Sequence, residues 1–276
     1  MSKSELFGNM PDSMPKNNVM KNDFNWEVPV ESIPLPSKGM IYSPESRLYN
    51  TETVQIKAMT AHEEDILSSQ AYIKEGTVIT ELIRSCVSDK SINPEEMING
   101  DRVALMIGIR VTGYGPEYKA TATCSTCNSP NEITANLTNL PIKRLTISPV
   151  EEGRNEFTFD LPVTKKSVHF KFLTNKDDQE RAITAKNKAR ILNSKTENNI
   201  TSFLEQSIIS VDGKTDRAKI KHFVQNMPAY DSRALRKFIT DNEPGMDMKW
   251  NFECNSCGAH NSANLPITAE FFWPNK

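Results

Sequence analysis

The chain has 276 residues, with 33 Lys and Arg against 35 Asp and Glu and a formal charge of −2. At ~150 residues per domain this is one large domain or two modest ones, long enough to bury a core without disulfides. The charge balance excludes a nucleic-acid binder that works through net basicity, and no run approaches the ~18 to 20 apolar residues that span a bilayer.

Residues 1–30 read as a flexible arm. Met1 to Asp23 is polar and broken by Pro11 and Pro15, and it has too little apolar surface to offset its ordering entropy. Met1 to Asn25 also lacks the apolar segment of a secretory signal, so a cytosolic protein with reduced cysteines is expected. Phe24 and Trp26 alternate with Val28 and Val30, which predicts an extended segment that docks at its end and offers two aromatics to a partner's groove.

Ser32 to Ser43 is expected to be a connector, with Pro34 and Pro36 fixing an extended path. Val54 to Met59 alternates as a strand. Thr60 and Glu63 in TAHE form a capping box. Helices are then predicted over His62 to Ile73, Val78 to Val87 and Pro94 to Val111. In the second of these, Ile79, Leu82, Ile83 and Cys86 share a face, so Cys86 is a core residue and not a ligand. In the third, Pro94 suits the first turn, Glu95 and Glu96 suit the helix dipole, and Gly113 with Gly115 ends the element.

Strand-like Tyr118 to Thr123 and Asn131 to Leu137 follow. A hairpin is predicted from Phe157 to Phe159 and Val168 to Phe172. Further helices are predicted over Asp177 to Asn193, Ile200 to Val211, Asp216 to Met227 and Asp231 to Asp241, with a VDGK turn at Val211 to Lys214. Met248 to Glu253 and His260 to Leu265 are again strand-like.

The strongest chemical signal is a pair of CxxC motifs, Cys124-Ser-Thr-Cys127 and Cys254-Asn-Ser-Cys257. Each sits at the tip of a predicted hairpin, and each hairpin runs out into the tetrapeptide NLPI, at Asn139 to Ile142 and Asn264 to Ile267. The halves look like two copies of one zinc-ribbon arm. Two such turns supply four thiolates, and a structural Zn²⁺ takes four at ~2.3 Å in a tetrahedron. The spacing between the pairs far exceeds the ~15 to 20 residues of a contiguous ribbon, so the ribbon would be discontinuous, with a helical region inserted. A redox pair would need a helix after the motif to lower the thiol pKa; strand-like sequence follows both. His260 reads as a surface residue beside a complete ligand set.

His62, His169, His222 and His260 lie in four separate elements, and none belongs to a catalytic or phosphate-binding motif. Lys165 to Lys195 is locally basic and could form a nucleic-acid face beside a zinc ribbon, although a solvated helix face explains it as well.

Several segments, in this order, resemble the T4-type baseplate protein family of contractile-tailed bacteriophages. They are PLPSKGMIY (Pro34 to Tyr42), AHEEDIL (Ala61 to Leu67), NGDRVALMIGIRVTGYGPEY (Asn99 to Tyr118), ISVDGK (Ile209 to Lys214), and the terminal CxxCG with FFWP (Phe271 to Pro274). The resemblance spans Ser32 to Pro274. It implies a non-enzymatic structural or assembly component of the baseplate hub, built in the host cytoplasm and carried in the virion tail, with other baseplate proteins as partners. It also implies that Cys124, Cys127, Cys254 and Cys257 are zinc ligands. A nucleic-acid-binding zinc-ribbon regulator is the competing reading.

The expected fold is α+β. A strand and helical region at 31–116 leads to a first zinc hairpin at 117–142. A hairpin and helical insertion at 143–246 separates it from a second zinc hairpin at 247–276. Phe271, Phe272 and Trp273 close the chain; they either anchor the second hairpin to the core or, with Phe24 and Trp26, meet a neighbouring subunit.

Overall fold

The computed structural model describes residues 19–21, 27–192, 199–267 and 269–272. Phe24, Trp26 and Trp273 lie outside these, as does most of the expected arm.

β1 (Val19–Lys21), β2 (Glu27–Pro34) and β3 (Thr53–Lys57) form an antiparallel sheet in that order. The alternation read in β3 sets its faces, with Val54 and Ile56 buried and their neighbours exposed. β2 begins inside the stretch read as an arm and runs through the first part of the predicted connector.

The TAHE box starts α1 (Ala61–Ser68): the Thr60 N–H and hydroxyl donate to the Glu63 carboxylate at 2.9 and 2.6 Å. The predicted helix to Ile73 is in fact two. Ser69 is extended (ψ 112°), and α2 (Gln70–Glu75) starts after it. α3 (Val78–Cys86) follows as read, with Cys86 fully buried among apolar neighbours.

α4 (Asn99–Tyr114) starts five residues later than Pro94. Met97 and Ile98 are fully buried and Ile98 is extended, bridging to Thr174 while the Asn175 N–H donates to the Met97 carbonyl at 3.1 Å. Long-range backbone pairing therefore takes residues that local dipole arguments assign to a first turn. At the other end Gly113 stays helical and Gly115, at φ 83°, ends the element.

β4 (Glu117–Thr123) and β5 (Pro130–Asn136) make the first hairpin, and β6 (Ile142–Lys143) follows it. β7 (Phe157–Asp160) and β8 (Ser167–Phe170) pair as predicted. Next come α5 (Asn175–Leu192) and α6 (Asn199–Ser207). The helix predicted to Val211 ends at Ser207 instead, because β9 (Ile208–Val211) adds to β8 as a third strand, burying Ile208 and Ser210. Here period-two burial overrides the helical reading. At the turn after β9, Asp212 and Gly213 both have positive φ. α7 (Arg217–Asn226) is capped by Asp216, and α8 (Ala229–Asn242) completes the insertion.

β10 (Gly245–Met246) returns to pair with β6, which brings β11 (Lys249–Glu253) and β12 (His260–Asn264) beside the first hairpin. α4 is the common support, packing against β2, β3, α3 and β10. Gly100 permits the last contact: a Cβ there would lie 1.8 Å from the Pro244 carbonyl oxygen.

Candidate metal centre

Both CxxC motifs fold into the same knuckle. The Cys124 N–H donates to the Ser129 carbonyl at 3.0 Å and the Asn128 N–H to the Cys124 carbonyl at 3.0 Å; the equivalent bonds from Cys254 and Gly258 are both 2.9 Å. Each turn closes through a left-handed residue, Asn128 at φ 58° and Gly258 at φ 69°, the two residue types that accept that conformation most readily.

The four sulfurs lie within 4.8 Å of one another, an arrangement that could hold a metal ion. Across the hairpins, Cys124 and Cys257 approach to 3.7 Å, and Cys127 and Cys254 to 3.6 Å. Cys124 and Cys254 are buried at the base of the cluster, and Cys127 and Cys257 are exposed at its rim. Backbone N–H groups of Cys127 and Thr126 pull the Cys124 thiol down to about 6. Burial pushes Cys254 up, but N–H donors from Ser256 and Cys257 outweigh it and its pKa falls. The Ala259 N–H draws Cys257 down, yet the neighbouring Cys127, Cys254 and Cys124 sulfurs hold it up at about 12. Without a cation, four adjacent sulfurs cannot all carry charge.

Two asparagines absent from the sequence reading complete the centre. The amide of Asn131, beyond the first knuckle, donates to Cys254 Sγ at 3.5 Å, and its oxygen accepts from the Asn255 N–H at 2.8 Å. The amide of Asn261, beyond the second, donates to Cys124 Sγ at 3.4 Å, and its oxygen accepts from the Ser125 N–H at 3.0 Å. The signal was present in the sequence as CxxCxxxN in both arms; the cross-arm contact is visible only in three dimensions.

At the foot of the first arm, Arg110 of α4 is fully buried, and among the described residues no carboxylate pairs with it. It donates to the carbonyls of Phe271 (2.8 Å), Gly115 (2.8 Å) and Glu117 (3.0 Å), joining the helix end, the start of β4 and the C-terminal turn. The Tyr118 hydroxyl donates to the Pro266 carbonyl at 2.7 Å, and its ring meets Phe271 edge-on at 5.1 Å. Phe271 and Phe272 are both fully buried. Of the two alternatives read for these rings, burial favours the first: they anchor the second arm to the core.

Asp101 joins two of the segments quoted for the family resemblance. Fully buried in α4, it accepts from the Ser37 N–H and hydroxyl at 2.9 and 2.5 Å and from the Tyr42 hydroxyl at 2.6 Å. Burial raises its pKa against these donors.

The molecule is thus a mixed α+β protein whose small antiparallel hairpins, drawn from distant parts of the chain, meet at one cysteine cluster. A family model described as T4 bacteriophage base plate protein matches residues 34–273, most of the chain. The chain belongs to this family. Membership indicates a structural phage role in the virion tail, in association with other baseplate proteins. No curated protein and no solved structure matches the chain. Among the described residues, no helix is long and apolar enough to cross a membrane.

Proposed function

We propose that this chain is a non-enzymatic structural or assembly component of a contractile-tail baseplate hub, built in the host cytoplasm, and that Cys124, Cys127, Cys254 and Cys257 hold one structural Zn²⁺. The observation that carries the reading is the four-thiol cluster itself, formed by residues up to 133 positions apart inside the family-matched region. Its 3.6 and 3.7 Å cross-arm spacings are close to the ~3.8 Å edge of a tetrahedron with ~2.3 Å Zn–S bonds. A closed set of soft ligands gives the ion a folding role, because it ties the two hairpins together and leaves no open position for substrate.

The organisation proposed with this function is an arm at 1–30, a strand and helical region at 31–116, metal hairpins at 117–142 and 247–276, and an inserted region at 143–246. No observation favours the nucleic-acid reading over this one. In the described part of the basic stretch, Lys171 pairs with Asp177, Arg181 with Asp178 and Lys166 with Asp212, as on a solvated, locally neutralised face.

Metal analysis tests the centre: purified protein should carry about one Zn²⁺ per chain with its four cluster thiols protected. Folded, metal-free protein with four freely titrating thiols would overturn it. For the hub assignment, tails assembled with a tagged chain should retain the tag in the isolated baseplate centre or pass through a hub subassembly that contains it.

A further inference from the structure

The two asparagines show a reciprocity that a simple CxxC cluster does not need. Asn131, 2 % exposed, spends its amide on its own arm's Ser129 carbonyl at 2.9 Å and on Cys254 Sγ at 3.5 Å, while its oxygen takes the Asn255 N–H of the opposite knuckle. Asn261 repeats the pattern. Its amide meets the Ala259 carbonyl at 2.8 Å and Cys124 Sγ at 3.4 Å, and its oxygen takes the Ser125 N–H and hydroxyl of the opposite knuckle. Donor and acceptor ends are both satisfied, so neither amide can turn over without losing bonds at each end.

Each asparagine therefore binds the first cysteine of the other arm and the backbone beside it. These are the buried cysteines, at the base of the cluster. Four thiolates around a dication leave an excess negative charge, and N–H donors aimed at sulfur disperse it.

We infer that Asn131 and Asn261 are positioning residues for the four-thiol centre, each holding the opposite arm's first cysteine in its ligating position so that the cage is assembled before a metal enters. This rests on the metal reading given above. The approximate two-fold arrangement makes a further demand: the two residues should be equivalent, although one follows a seven-residue strand and the other a five-residue strand.

The test is Co²⁺ titration of the full chain, in competition with a chelator, for the native protein and for Asn131→Asp and Asn261→Asp. Aspartate keeps the oxygen that accepts the knuckle N–H and loses the amide donor to sulfur. Asn251→Asp, on the exposed face of the second arm, controls for added charge. The native chain should bind about one Co²⁺ with intense sulfur-to-metal charge-transfer absorption. Each aspartate variant should lose about 10-fold to 100-fold in affinity, to the same extent, and its charge-transfer band should move to longer wavelength because the sulfur has lost a hydrogen bond. If an aspartate variant fails to fold, Asn131→Ser and Asn261→Ser remove the sulfur contact without adding charge and are read the same way. Native protein that binds no Co²⁺ through its thiols overturns the metal reading. Native binding with unaltered affinity and spectrum in the variants leaves that reading standing and overturns this inference.

Discussion

The two cysteine arms share a knuckle but not a foundation. In the first, Tyr118, Ala122, Ile133 and Ala135 are buried and the strands run seven residues each. In the second, the strands are five residues long and none of their residues is fully buried. An isolated two-stranded hairpin is marginal in water, so the second arm must take its order from what it touches: the core under Trp250, Phe252 and Ala263, the sulfur cluster, the Tyr118 to Pro266 bond, and the Arg110 bond to Phe271. The same local fold is thus stable for different reasons, full burial of apolar residues in one arm, and partial burial with tethering in the other.

Removing the proposed metal should expose this difference most. Structural zinc contributes on the order of 10 kcal/mol to folding in small fingers. Chelation or Cys254→Ser should therefore release the second arm, while the first keeps its β4–β5 hydrogen bonds. Hydrogen exchange resolved by segment measures this, and equal loss in both arms would break the comparison.

Arg110→Met is the next largest effect. It retains apolar bulk but leaves three carbonyls without their donor, an expected loss of about 4 kcal/mol in denaturant unfolding. The C-terminal turn should lose exchange protection before β5 does.

Acid should weaken the helical region around α1, where Glu63 ties β3 to α3. Burial alone would push the Glu63 carboxyl up, but the Lys57 ammonium and the Ser85 and Thr60 hydroxyls draw it down to about 2 from 4.5. The folded-state pKa is the lower one, so its stabilisation is complete above pH 4.5 and is lost as pH falls toward about 2. Compared with Glu63→Gln, the native chain should be more stable by at most about 3 kcal/mol at neutral pH, and the gap should close in strong acid. Urea midpoints followed against pH check the sign.

The smallest effect compares the two left-handed positions. Gly258→Ala should cost about 1 kcal/mol, because a Cβ is strained at positive φ, whereas Asn128→Gly should leave thermal stability nearly unchanged. A reversed order would mean that the knuckles are not equivalent.

What was legible in the sequence was local. The TAHE box needs four consecutive residues, the knuckles need CxxC and a residue tolerant of positive φ, and the hairpins need alternation over five to seven residues. Each is decided by bonds within a few positions of the chain, so residue order alone specifies it. Segments whose partners lie far away were misread. Pro94 to Glu96 carries a helix-start pattern, yet the next two residues pair through their backbone with Thr174 and Asn175. Ile208 to Val211 continues a helical pattern until β8 offers a third place in its sheet.

The buried polar residues were beyond reach for the same reason. A charge or amide in the sequence is by default a surface group; only partners such as Ser37 and Tyr42 on Asp101, or three carbonyls on Arg110, make its burial affordable. The sequence by itself determined the four thiols and the two arms that present them. Tertiary structure decided that the arms meet, that Asn131 and Asn261 cross between them, and that Phe271 and Phe272 face inward, because each outcome depends on desolvation and pairing between residues the chain order keeps apart.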